Sequence, residues 1–153
     1  HLSIRRQRQM CIRDRVQRFL EELARDTGRA TYGEKEVRAA LERGAAETVL
    51  ISEGVDYVRL TVECSSCHYF FEKTLAPNAI AEFEETLATQ TCPRCRNLSL
   101  QLADTRDFVE ELGEMAATTG AQVEIISPET EEGKELLNAF RGIGTILRWA
   151  ERS

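Results

Sequence analysis

Two short cysteine pairs carry the strongest chemical signal in the sequence: Cys64-Ser65-Ser66-Cys67 and Cys92-Pro93-Arg94-Cys95, with twenty-four residues between them. A C-x2-C turn aims two sulfurs at one point, and two such turns facing each other supply a tetrahedron of thiolates. Four protein ligands leave a metal no open position, so the chemistry is structural rather than catalytic. The spacing predicts a metal site built from Cys64, Cys67, Cys92 and Cys95. Zinc is the preferred ion; a rubredoxin-type iron accepts the same geometry, and disulfides are the alternative to any metal. A thioredoxin-like redox pair needs one C-x2-C at a helix start, not two that face each other. His68 directly follows Cys67, too close to join the same tetrahedron, and reads as an exposed or hydrogen-bonded ring.

Little else in the chain could carry a reaction. Gly142-Ile143-Gly144 is a fragment of a phosphate loop with no lysine or following helix to complete it, so a tight turn is the simpler reading. No nucleophile elbow, H-E-x-x-H or histidine with a partner acid is present. Glu129, Glu131, Glu132 and Glu135 fall on early helical turns, where a carboxylate favours the helix dipole. The expectation is a chain that binds and does not catalyse.

The elements that must hold the cysteines are legible from periodicity. Val58, Leu60 and Val62 alternate with polar residues before the first pair, and Leu98, Leu100 and Leu102 do so after the second. Between them, Tyr69 to Leu75 reads as a strand, and Pro77 opens a helix that buries Ile80, Phe83 and Leu87. Residues 57–103 are therefore expected to form a metal-clamped, β-rich minidomain inserted in a second domain. On one side of it, Val16, Phe19, Leu20 and Leu23 make one helical face, Val37, Ala40 and Leu41 another that stops at Gly44, and Thr48-Val49-Leu50-Ile51 a strand buried on both faces. On the other side, Asp104 is expected to cap a helix with Phe108, Leu112, Met115 and Ala116 inside, ending at Gly120. A strand at 122–126, a helix from Ser127-Pro128 carrying Leu136, Leu137 and Phe140, and a last strand over 143–149 follow. Strands alternating with helices predict an α/β fold, a three-layer α/β/α sandwich over 16–153.

Composition sets the boundaries of function. The 153 residues are 42% hydrophobic, enough for a sizeable core. No apolar run approaches a membrane span, so a cytoplasmic location without membrane partners is expected. Four of the five cysteines belong to the quartet and Cys11 is left over. Residues 1–15 hold Arg5, Arg6, Arg8, Arg13 and Arg15 against one Asp14, without a period that continues. They read as an RNA-binding arm or as a foreign, disordered tail, and Met10-Cys11-Ile12-Arg13-Asp14-Arg15, which resembles translated sequencing-adapter peptides, favours the tail. From Val16 onward 15 basic and 25 acidic side chains leave a net charge of −10, against −6 for the whole chain. That balance argues against a broad phosphate-binding face, and so against an RNA-binding ribosomal-type protein, the main alternative for an α/β/α chain with a metal.

Several stretches carry a more specific signal. Asp26-Thr27-Gly28-Arg29-Ala30-Thr31-Tyr32-Gly33 and the run from Ala40 to Glu53 resemble the start of the C-terminal domain of archaeal and eukaryotic class I peptide chain release factors. The stretch from Gly120 to Ser127, Glu129 to Gly133, and Phe140 to Trp149 is similar to the end of that domain. The resemblance covers essentially all of residues 16–153. The cysteine quartet is a feature of the archaeal members and speaks against the related rescue factor Pelota.

The resemblance implies a docking module in translation termination. Its partners would be a translational GTPase of the elongation factor one-alpha type, the ribosome and an ABC-type recycling ATPase, with no small-molecule substrate. Codon reading and peptidyl-tRNA hydrolysis belong to upstream domains in this family, and neither Asn-Ile-Lys-Ser nor Gly-Gly-Gln occurs here, so a non-catalytic C-terminal fragment is expected. By position in the family, Phe140 and Ile143 would meet the GTPase; periodicity alone would place both in the core. Arg141 and Thr145 stand where family members carry glycine or another small residue.

Overall fold

The computed structural model describes residues 14–150. Apart from Asp14 and Arg15, the expected basic tail and its Cys11 lie outside the described residues. The chain divides into two compact units, one formed by the residues up to Val55 and from Leu112, the other by Asp56–Glu111.

The first unit is mixed α/β. Helix α1 (residues 14–24) leads to strand β1 (Ala30–Tyr32), helix α2 (Glu34–Glu42) and strand β2 (Ala46–Ser52). Helix α4 (Phe108–Thr119) crosses from the second unit back into the first at Glu111–Leu112, and strand β6 (Gln122–Ile126), helix α5 (Glu131–Ala139) and strand β7 (Ile143–Leu147) follow. The sheet runs β1-β7-β2-β6, with β2 and β6 parallel and β7 antiparallel to both β1 and β2. β2 is central because its side chains are apolar on both faces. Leu50 packs with Phe19 and Leu136, while Val49 and Ile51, pointing the other way, are equally buried. One cluster of Val16, Phe19, Leu50, Ile126, Leu136 and Ile146 joins α1 and α5 to the sheet. Gly144 on β7 faces the ring of Phe19, and a Cβ there would lie 2.3 Å from Cζ, so glycine is what lets α1 sit down on the sheet.

Helix ends follow local chemistry. Arg43 closes α2, and Gly44 in the left-handed region (φ 70) allows Ala45 N–H to donate to Ala40 O, as Gly120 allows Ala121 N–H to donate to Ala116 O. Two starts differ from the expectation. α4 begins at Phe108 with the Asp107 carboxylate accepting from Glu110 N–H at 3.1 Å, because Asp104 is still inside a strand. α5 begins at Glu131 with the Thr130 hydroxyl accepting from Gly133 N–H at 3.0 Å; Ser127-Pro128 only opens the preceding turn. β1 was not expected at all, since three residues are too short for an alternation to register. β7 stops at Leu147, leaving Trp149 exposed.

The second unit holds strand β3 (Val58–Cys64), strand β4 (Phe70–Leu75), a turn of 3-10 helix (Pro77–Ala79), helix α3 (Ile80–Thr89) and strand β5 (Leu100–Asp107). All pairings are antiparallel, in the order β4-β3-β5. Pro77 occupies the first turn as its missing N–H requires. Leu98, expected in the last strand, precedes it and is exposed. Beside the sulfurs the core is a small cluster of Val62, Leu87, Leu100, Cys64 and Cys92, flanked by Tyr69, Phe71 and Phe83; Leu60 and Phe108 are buried as well.

Candidate metal centre and partner surface

Cys64 ends β3 and Cys67 lies in the turn that follows it, while Cys92 and Cys95 lie in the loop between α3 and β5. The two pairs occupy the same backbone turn, bond for bond. In the first, Cys64 N–H donates to Tyr69 O at 2.7 Å and His68 N–H to Cys64 O at 2.9 Å. In the second, Cys92 N–H donates to Asn97 O at 2.9 Å and Arg96 N–H to Cys92 O at 2.8 Å. The residue after the second cysteine is left-handed in both, His68 at φ 63 and Arg96 at φ 64, where a side chain costs energy and glycine would not.

These turns bring the four sulfurs within 4.8 Å of one another. Cys64 and Cys95 are 3.5 Å apart, Cys67 and Cys92 3.7 Å. Zinc bound tetrahedrally at about 2.3 Å from each sulfur sets an S···S edge of about 3.8 Å, so the donor set fits that ion. The quartet is polarised before any metal arrives. The Ser99 hydroxyl, 3.0 Å from Cys64 Sγ, and the Cys67 backbone N–H pull the Cys64 thiol down to about 6. Cys67 is pushed up to about 11: the Tyr69 backbone hydrogen bond lowers it, but burial and the three neighbouring sulfurs outweigh that. Burial opposes ionisation of Cys92, yet the Cys95 and Arg94 backbone N–H groups hold it below the ordinary thiol value, Arg94 N–H lying 3.4 Å from the sulfur. A metal held here binds all four sulfurs as thiolates, so its binding would release the protons that remain on the quartet. The exposed His68 ring meets Glu63 (Nδ1 to Oε1 3.1 Å) and stays outside the quartet. Ser99 escaped the reading of the sequence, since it lies 35 residues from the sulfur it touches and stands in no motif.

In the first unit, Phe140 caps α5 and is half-buried, its ring edge-on to Phe19 (5.6 Å between centroids) and to Tyr32 (5.1 Å). Tyr32 is 46% exposed. Ile143 opens β7 opposite Ile51 and is only 2% exposed, so its side chain serves the core. Of the two residues suggested for partner contact, Phe140 has an accessible side, and Tyr32 extends it. Arg141 between them and the strand is exposed and left-handed (φ 59). A separate polar cleft of about 500 Å³ is lined by Arg18, Glu47, Gln122 and Arg148 among others. Its cations are engaged: Arg18 with Glu47 at 3.2 Å, and Arg148 with the carbonyls of Thr119 and Ala46 at 2.7 and 3.1 Å. No described helix is long and apolar enough to cross a membrane.

Comparison with known proteins gives concordant results. The family described as eRF1 domain 3 matches residues 12–151. Peptide chain release factor subunit 1 of Methanocaldococcus jannaschii is 42% identical over 138 residues, 90% of this chain, and that of Pyrococcus abyssi 45% identical over 134 residues, 88% of this chain. The chain spans 32% of the length of each of these relatives. Among solved structures, the C-terminal domain of peptide chain release factor from Methanosarcina mazei is 35% identical and superposes with a TM-score of 0.80, covering 97% of this chain and 88% of that one.

Proposed function

The chain belongs to the eRF1 domain 3 family, and from that premise we propose that it is the C-terminal docking domain of an archaeal class I peptide chain release factor. The observation that carries this is the identity of 42–45% to archaeal release factor subunits along nine-tenths of the chain, together with the likeness to an isolated C-terminal domain of such a factor. The domain binds a translational GTPase of the elongation factor one-alpha type and faces the ribosome and the ABC-type recycling ATPase in the cytoplasm. It catalyses nothing itself; codon reading and peptidyl-tRNA hydrolysis fall to other domains of the full factor.

Two structural roles complete the proposal. The first unit is a three-layer α/β/α sandwich, an arrangement supported by the burial of β2 on both faces, and Asp56–Glu111 is a minidomain inserted in it. Cys64, Cys67, Cys92 and Cys95 hold one zinc ion, which supplies a rigid cross-link between the two knuckles and leaves no position for a substrate. On the first unit, Tyr32 and Phe140 provide the aromatic anchor for the GTPase, with the exposed Arg141 beside Phe140 in the chain.

The test is a pull-down of the zinc-loaded chain against archaeal elongation factor one-alpha in its GTP state and against ribosomes, with metal content measured on the same sample. Salt-tolerant capture of the GTPase, lost in Tyr32→Ala with Phe140→Ala, and one zinc per chain are expected. Salt-sensitive ribosomal RNA binding without the GTPase would overturn the docking role, and a coloured, iron-containing protein would overturn the zinc assignment.

A further inference from the structure

The sheet of the second unit is covered on one face and open on the other. Directly opposed residues of antiparallel strands point the same way, so the registers assign each side chain to a face. Val62, Cys64, Phe71 and Leu100 lie toward α3 and the sulfurs, and Lys73 reaches over the Phe83 ring at 5.0 Å. The opposite face is a grid of three rows. The row nearest the knuckles is Phe70, Glu63 and Gln101; the next is Glu72, Thr61 and Asp104; the last is Thr74, Arg59 and Arg106.

The last row is closed by its own chemistry. Arg59 donates to Thr74 Oγ1 at 2.9 Å and pairs with Glu72 at 3.2 Å and Glu111 at 3.6 Å, and its side chain is only 15% exposed. The first two rows are open. Phe70 is 64% exposed at the first position of β4, where an outward position normally carries a polar residue. Glu63 stands directly across from it and Glu72 two residues along the same strand, each more than a third exposed although Glu63 meets His68 at 3.1 Å and Glu72 meets Arg59 at 3.2 Å, and the exposed Asp104 lies in the neighbouring row. An uncovered aromatic ring bordered by carboxylates attracts a cation twice over, through the negative π-face and through the charges at its edge. The same carboxylates repel phosphate, which makes RNA the wrong occupant.

We propose that this open face is a docking site for a lysine- and arginine-rich segment of a protein partner, one cationic side chain lying over Phe70 between Glu63 and Glu72. Strands about 4.8 Å apart and residues about 3.4 Å apart make the two open rows large enough for two or three side chains of an extended segment. A bound tetrathiolate zinc carries two negative charges and deepens the attraction at the knuckle end of the same strands. The site is on a different unit from the aromatic surface proposed for the GTPase and does not depend on that reading.

The experiment uses the complete zinc-loaded chain and two fluorescein-labelled probes, nona-arginine and a nine-nucleotide RNA of mixed sequence, followed by anisotropy at about 50 to 150 mM salt. Phe70→Ala should weaken peptide binding about tenfold, and Phe70→Trp should restore it. The triple variant Glu63→Gln, Glu72→Gln, Asp104→Asn should weaken it by more than tenfold, while Glu82→Gln, Glu84→Gln, Glu85→Gln on α3 changes charge equally and should cost less than twofold. Equal losses in both triples would mean general attraction of a polycation to an acidic protein and would overturn the proposal. So would unchanged binding in Phe70→Ala, or RNA binding that depends on Phe70. Zinc content and circular dichroism of each variant identify any that fails to fold, and Phe70→Trp keeps the test decisive if Phe70→Ala does.

Discussion

The two units of this chain solve the same problem with different materials. The first fills its core with large side chains drawn from both ends of the sequence, such as Phe19, Leu50, Leu136 and Ile146, and its two central strands are further linked by Thr145, whose buried hydroxyl donates to Thr48 O at 2.8 Å. The second, with fewer than sixty residues, buries four aliphatic side chains (Leu60, Val62, Leu87 and Leu100), Phe108 and two cysteines. A unit of that size seldom closes a core from side chains alone, and a cross-link or metal supplies the difference. The contrast teaches that one chain carries two different cores: apolar side chains alone in one unit, apolar side chains around a cluster of four sulfurs in the other, where the proposed zinc would supply the difference.

The strongest way to break that comparison is to remove the metal. Chelation of zinc, or Cys92→Ser, should unfold the second unit, removing on the order of 10 kcal/mol of coordination. Hydrogen exchange should then show β3, β4 and β5 unprotected and β2 and β7 still protected; simultaneous loss of both would mean that the units are one cooperative body. Next in size, Leu50→Ala should cost the first unit about 2–5 kcal/mol in denaturant melts, with zinc content unchanged. Gly144→Ala forces a methyl against Phe19 and should cost about 1–3 kcal/mol in the same assay. Ser99→Ala removes the hydroxyl on Cys64 and should lower zinc affinity about tenfold in a chelator competition, with Ser99→Thr retaining most of it. The smallest effect sharpens the comparison from the other side. His68→Gly or Arg96→Gly relieves a left-handed side chain and should stabilise only the second unit, by about 1 kcal/mol, in a thermal melt followed at its tyrosines.

The cysteine cluster was legible in the residues because each C-x2-C turn imposes its own backbone geometry and aims its two sulfurs together; the fold then brings the two turns face to face. Helices α1, α2 and the interior of β2 were legible for a similar reason, since apolar period and glycine stops act over a few residues. Where tertiary context competes with local preference, the local reading slipped. Asp104 has the chemistry of a helix cap, but pairing with Thr61 of β3 keeps it in a strand, and Asp107 caps α4 instead. Ser127-Pro128 has the look of a helix start, yet Thr130 is the residue whose hydroxyl accepts from the helix. Which apolar residues stay accessible was the least legible, because periodicity treats every apolar residue near a helix end as core, and that is where the structure puts Ile143.

What the sequence determined by itself was local and chemical: four thiols at two fixed spacings, an acidic balance after the first fifteen residues, and helical and strand periods that define an α/β chain. What only the tertiary structure decided was which distant residues share a face. It set Tyr32 of a three-residue strand against Phe140, more than a hundred positions later, placed Ser99 on Cys64, and left Phe70 uncovered beside Glu63. The physical reason is that strand register and helix packing are settled by burial summed over the whole core, a quantity that no short window of sequence contains.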